Sequence, residues 1–224
     1  LVTSETESLE VRINAVRALS AMRTDNANLN VWKSLTTTAK MRGENYTMLR
    51  YFAIQGLGEL GNSDKEVLET LSVIASRDTN LLIQRAAVRA LISLGSSQDV
   101  QTALSGLFKR VKDDSLKGLI LQALGDAGNA EAVSLALSLL EDAEETAARE
   151  TAVYALSRVK SKEAVSALAD ALVYEDIRQL AAAFLGDADR ELVSALLARR
   201  NGSEDNPEVA AVLDQLRSTI ARSF

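Results

Sequence analysis

The sequence predicts an all-α chain, an α-α superhelix of about six helix pairs, on three observations. One helical phrase recurs six times, its apolar residues fall in the same columns each time, and the composition suits packed helices and little else. The clearest copies read Arg50-Tyr-Phe-Ala-Ile-Gln-Gly-Leu-Gly-Glu-Leu-Gly61 and Arg149-Glu-Thr-Ala-Val-Tyr-Ala-Leu-Ser-Arg-Val-Lys160. Aligned on their first residue, the copies begin at Arg12, Arg50, Gln84, Lys117, Arg149 and Arg178, with gaps of 38, 34, 33, 32 and 29 residues. A period in this range marks a stack of supersecondary units in which each touches only its neighbours.

Counted from that first residue, position plus seven is leucine without exception: Leu19, Leu57, Leu91, Leu124, Leu156 and Leu185. Plus three is Ala15, Ala53, Ala87, Ile120, Ala152 and Ala181, and plus four is apolar throughout. Positions 0, 3, 4 and 7 make one face of a helix with 3.6 residues per turn. Position minus one is apolar from Val11 to Ile177. Plus six is small in Ala18, Gly56, Ala90, Ala123 and Ala155, as close helix packing demands; Phe184 breaks the column, so the sixth unit should pack differently.

Between the phrases lie second amphipathic segments, at about 29–41, 65–76, 100–111, 131–140, 162–173 and 190–198. Helix-start signals precede them, including Asp64, Ser96 to Asp99, Asn129 and Ser161. Gly61, Gly95 and Gly128 fit left-handed positions that end the preceding helix, and Gly56 and Gly58 read as packing glycines. Residues 41–47 are expected to form an extended loop in the longest gap. Residues 1–200 are expected to be the array and 201–207 a polar linker. Residues 208–224 would then form a capping helix, opened by Pro207, the chain's one proline.

Composition agrees. Hydrophobic residues are 47% of the 224, yet aromatics are 4%, so the apolar mass is Ala, Leu, Val and Ile. The formal charge of −6 argues against a nucleic-acid backbone as main partner, and no apolar run reaches the length of a membrane span. The absence of cysteine leaves the compartment open, the balance tilting to the cytoplasm. The chain starts at Leu1, in what reads as the tail of an earlier repeat, and is expected to be a fragment of a longer protein.

The phrase Arg-x-x-Ala-Val-x-Ala-Leu-x-x-Leu-Gly resembles the HEAT repeat, a HEAT/armadillo-like solenoid unit, most closely the short bacterial type also seen in phycobilisome lyase proteins. The resemblance covers about 190 of the 224 residues. It implies that the phrase helices, second in each pair, line the concave surface. It also implies a structural role for the basic anchors Arg12, Arg50, Lys117, Arg149 and Arg178. These would pair with the acids a few residues upstream of each copy, Glu10, Glu44, Asp78, Asp114, Glu145 and Asp176, joining a loop to the next helix along the stack.

Positions plus one, plus five and plus nine face away from the core columns. From these, Tyr51, Arg85, Arg89, Tyr154 and Arg158 are the candidate partner-binding residues, Tyr and Arg being the types enriched at binding hot spots. Trp32, the lone tryptophan, is expected in the core, with a partner anchor as its other reading. The acceptor-like triplets beginning at Asn45 and Asn201 read as incidental.

With no His and no Cys, the usual general base, both thiol and serine–imidazole pairings and zinc ligation are missing. No catalytic residue, metal ligand or cofactor is predicted. The expected function is therefore a non-catalytic scaffold that binds another protein, or a segment of its parent chain, on the concave face. The alternative implied by the resemblance is an enzyme subunit similar to the phycobilin lyases, which hold a tetrapyrrole for transfer.

Overall fold

The computed structural model describes residues 6–21, 28–200 and 204–221, and among them are thirteen α-helices, two short 3₁₀ turns and no strand. The phrase helices are α1 (Leu9–Ala21), α3 (Thr47–Leu60), α5 (Leu81–Ser93), α7 (Asp114–Asp126), α9 (Thr146–Arg158) and α11 (Arg178–Asp187). The companions are α2 (Asn28–Ala39), α4 (Lys65–Arg77), α6 (Gln98–Phe108), α8 (Glu131–Asp142), α10 (Lys162–Asp170) and α12 (Arg190–Arg199). A last helix, α13 (Pro207–Ala221), packs on α12. Five phrase helices start three residues before their anchor, because the turn ahead of it already follows the helical period.

Local chemistry sets the ends. The Asp64 carboxylate accepts from the Glu66 N–H at 2.9 Å, Ser161 Oγ from Ala164 N–H at 3.1 Å, and Asp189 from Glu191 N–H at 3.0 Å. Each satisfies a backbone donor that the first turn leaves unpaired. Gly61, Gly95 and Gly128 take φ of 69°, 99° and 66°, the left-handed geometry expected of them. Gly43, at φ 113°, bends the loop after α2, which then tightens into a 3₁₀ turn at Glu44–Tyr46.

The chain divides into two units, Leu1–Ile120 and Leu121–Phe224. In unit 1, α1, α3 and α5 lie side by side as one layer and α2, α4 and α6 as the other. In unit 2, α9 packs on α11, while α8, α10 and α12 form the second layer. The repeated columns fill the space between layers. Leu57, Leu91, Leu124, Leu156 and Leu185 are at most 1% exposed, as are Ala53, Ala87, Ile120, Ala152 and Ala181. Burying one leucine so fully stabilises by ~1.5–3 kcal/mol. The first copy departs: Leu19 is half-buried and Val11 is 41% exposed, since α1 has α2 and α3 as neighbours and no phrase helix before it among the described residues. Trp32 is core, 5% exposed.

Glycine lets adjacent phrase helices touch backbone to backbone. A Cβ on Gly58 would lie 2.9 Å from Ala90 Cα, and one on Gly125 would lie 3.0 Å from Ala155 Cα. One on Gly56 would collide with Ser20.

Candidate functional site

Two sets of phrase-helix side chains leave the core, and they do different things. The anchors form struts between successive pairs. Arg50 donates its Nε–H to the Ala39 carbonyl at 3.1 Å, closing the end of α2, and pairs through Nη2 with Asp78 in the loop before α5. Both side chains are about nine-tenths buried. Arg178 repeats the device, with Nε–H to the Leu172 carbonyl at 2.8 Å and Nη1 to Glu208 at the start of α13. Arg149 pairs with Asp176 at 2.9 Å, and its guanidinium lies over the Tyr174 ring at 5.2 Å. Arg12 lies over Tyr46 in the same way, 5.3 Å from the ring centroid. Thus the Arg50, Arg149 and Arg178 struts reach about one repeat forward along the chain. They do not pair with the acids just upstream of them, Glu44, Glu145 and Asp176, because the loop ahead of the next helix lies closer to the guanidinium than its own loop does. Lys117 is the exception, pairing with Asp114 of its own helix at 3.0 Å.

The third copy has Gln84 in place of a cation. Its amide donates to the Asp78 carbonyl, and the next residue takes over the reach: Arg85 Nη2 donates to Ser115 Oγ at 3.0 Å, while Ser115 in turn donates to Asp113. That hydroxyl, with the Leu116 N–H and the nearby Arg85 charge, holds the Asp113 carboxyl below its usual range against the opposing effect of burial. At Asp176 burial opposes most, yet the hydrogen bonds from Arg149 and Thr146 and the Arg149 charge leave its carboxyl lowered too.

The outward face is where the candidate binding residues stand. In unit 1, Tyr51 is half-buried and set edge-on to Phe52, their centroids 5.6 Å apart, and Arg89 is exposed on α5. Arg85 is half-buried in its strut. In unit 2, Arg158 is exposed and pairs with Asp126 of α7 at 2.8 Å. Tyr154 is half-buried against Phe184, the residue that broke the small column; their rings meet edge to face with centroids 6.3 Å apart. Around them opens a groove of about 270 Å³, lined by Gln122, Glu150, Thr151, Tyr154, Leu180 and Phe184. Of this lining the sequence candidates include Tyr154 and not Phe184 or Leu180. The only signal for Phe184 was its oversize side chain where an alanine was due.

No group of His, Cys, Asp and Glu among the described residues could hold a metal ion, and no helix there is long and apolar enough to cross a membrane. Asn45 lies exposed in the 3₁₀ turn, and the triplet starting at Asn201 falls outside the described residues.

Comparison with known proteins gives the fold a name. Over nearly its whole length (97% of this chain, 91% of the other) it resembles the solved complex of CpcE and CpcF of phycocyanin lyase from Nostoc sp. PCC7120, with 18% identity and a TM-score of 0.51. Human deoxyhypusine hydroxylase matches at 13% identity over 83% of this chain and 93% of the other, with a TM-score of 0.46. No curated protein matches it in sequence. A family model for HEAT repeats matches residues 35–117 and 104–186, so the chain belongs to the HEAT-repeat family.

Proposed function

We propose that this protein is a non-catalytic scaffold that holds a partner protein on the outward face of its phrase helices, the face that the HEAT resemblance puts on the concave side. The observation that supports this most is the groove beside Tyr154 and Phe184: two aromatic rings, half-buried and open to solvent, with Leu180 between polar rims. An aromatic cluster ringed by polar side chains is the usual make-up of an interface anchor point. At about 270 Å³ the groove is smaller than the ~300–1,000 Å³ typical of small-molecule sites, and it suits one inserted side chain of a partner better than a cofactor. The solved relative is a complex of two protein subunits. In this reading α13 caps the last pair, burying Val209 and Leu213.

The test is affinity capture with the wild-type chain beside Tyr154→Ala, Phe184→Ala and Arg89→Ala. Partners retained by the wild type and lost with Tyr154→Ala or Phe184→Ala, at unchanged melting temperature, support the reading. An identical set of bound proteins in all lanes removes this face from consideration.

A further inference from the structure

A larger groove, about 480 Å³, lies in unit 1 between the C-terminal ends of α2 and α4, bordered by the loop that follows α2. Its lining brings four cations, Lys40, Arg42, Arg50 and Arg77, around a single carboxylate, Asp78. Arg50 and Asp78 satisfy each other in the strut. Lys40 reaches Glu66 at 3.4 Å, with half of its side chain still in solvent. The side chains of Arg42 and Arg77 are exposed and make no ion pair or hydrogen bond with any described residue. Between the charges, Val73 shows 41% of its surface above buried Ile74.

Cations at helix C-termini favour the helix dipole by ~0.3–1 kcal/mol, and that accounts for Arg77 in the last turn of α4. It does not account for Arg42, which stands beyond the end of α2 in the loop that makes the first gap 38 residues where later gaps are 34 or fewer. An inserted loop on a rigid scaffold is a favoured place for recognition. The chain as a whole is acidic at −6, so an uncompensated basic groove stands against its background.

We propose that this groove docks an acidic, extended segment of a partner protein. Its carboxylates meet Arg42, Arg77 and Lys40, and one apolar side chain lies on Val73 and Ile74. The two free guanidinium forks match carboxylates in a bidentate geometry. A nucleic-acid strand fits less well. Unit 1 has fifteen Lys and Arg against thirteen Asp and Glu, short of the positive field a phosphate backbone needs, and the groove lining has no aromatic ring for a base to stack on. The proposal does not depend on the Tyr154 groove, which lies in unit 2 and takes an apolar anchor.

The experiment uses the full chain and a fluorescein-labelled peptide, Glu-Glu-Leu-Glu-Asp-Leu-Glu-Glu, followed by fluorescence anisotropy at low ionic strength. Saturable binding is expected, weakening as salt is added. Arg42→Glu with Arg77→Glu should lower the affinity by at least ~10-fold, the neutral Gln pair by less, and Val73→Asp by several-fold. Melting curves should shift only slightly, by the loss of the Arg77 interaction with the end of α4, since all three side chains are exposed. Lys160→Glu with Lys162→Glu, the same change in net charge made in unit 2, should leave binding within about twofold.

No saturable binding overturns the proposal, as does equal loss in the control pair. A single-stranded oligonucleotide that binds more tightly than the peptide makes the groove a nucleic-acid site instead. Displacement of the peptide by millimolar inorganic phosphate makes it a small-anion site. A dimer in sedimentation that the Arg42/Arg77 variant dissociates makes the occupant a second copy of this chain. Each of these three results also overturns the proposal.

Discussion

In unit 1 the companion helices α2, α4 and α6 run out into Lys40 and Arg42, Arg77, and Lys109 and Arg110; in unit 2 the corresponding ends of α8 and α10 run out into Glu141, Asp142, Glu144 and Glu145, and Glu175 and Asp176, while α12 ends in Arg199 and Arg200. The fifteen cations and thirteen acids of unit 1 contrast with ten cations and eighteen acids in unit 2. Beneath these opposite surfaces the core columns are the same: Leu57 and Leu156 are each 1% exposed, and Arg50 and Arg149 each clasp an aspartate about one repeat on. Helix pairing is set by the columns and the struts, and is indifferent to what else the loops carry. The loops are therefore free to differ, and partner choice is expected to reside there and on the outward face.

The largest test of that shared core is Leu124→Ala. The side chain is fully buried, so truncation should cost roughly 2–5 kcal/mol in denaturant unfolding; a melt within a degree or two of wild type would show the column assignment to be wrong. Leu19→Ala, half-buried in α1, should cost clearly less. Next come the struts. Arg50→Ala strands a nine-tenths-buried Asp78 and should lose about 2 kcal/mol, whereas Arg158→Ala breaks an exposed pair and should lose ~0–1 kcal/mol. Equal losses would mean that the struts are ornaments of the surface.

The glycines sharpen the comparison further. Gly58→Ala and Gly125→Ala should each destabilise by ~1–2 kcal/mol despite better helix propensity, because the new methyl meets backbone of the next phrase helix. Gly106→Ala, on α6 with nothing within 4 Å of the added carbon, should instead gain about 0.5 kcal/mol. If all three gain, the phrase helices are not in backbone contact.

The smallest effect is in acid. Asp113 in unit 1 and Asp176 in unit 2 both titrate below the ordinary 3.8 in the folded chain. A carboxyl lowered by folding adds stability that is complete above its unfolded value and is lost as pH falls through the folded one. Stability should therefore begin to drop near pH 4 and keep dropping below it, as urea midpoints would show. Asp113→Asn and Asp176→Asn should each flatten that decline, and an unchanged profile would remove the struts as its cause.

Much of this was legible in the residues themselves. The phrase helices, their companions to within two or three residues at most ends, the three left-handed glycines and Pro207 all follow from period and capping chemistry, which act over a few residues. Less legible was anything that depends on a neighbour some thirty residues away. That Arg85 takes over the reach of Gln84 depends on Ser115 being beside it, and the register of one helix against the next decides that. The same holds for the stacking of Arg12 on Tyr46 and of Arg149 on Tyr174. Of the five outward residues read as binding candidates, Arg85 and Arg158 already hold partners within the chain, which no pattern of spacing reveals. The basic groove at Arg42 and Arg77 was invisible for the same reason, since its two walls come from different repeats.

The struts carry one more implication. Because the donor sits on one helix pair and its acceptor on the following stretch of chain, a block that offers both, as α10 and α11 do with Asp176 and Arg178, carries the fitting for each of its neighbours. Blocks built to such a standard fitting are interchangeable links. Duplicating such a block leaves its new joints with mates, so an array can lengthen by whole units where both fittings are present. The joint after Lys117, which keeps its pair within its own helix, has none to offer.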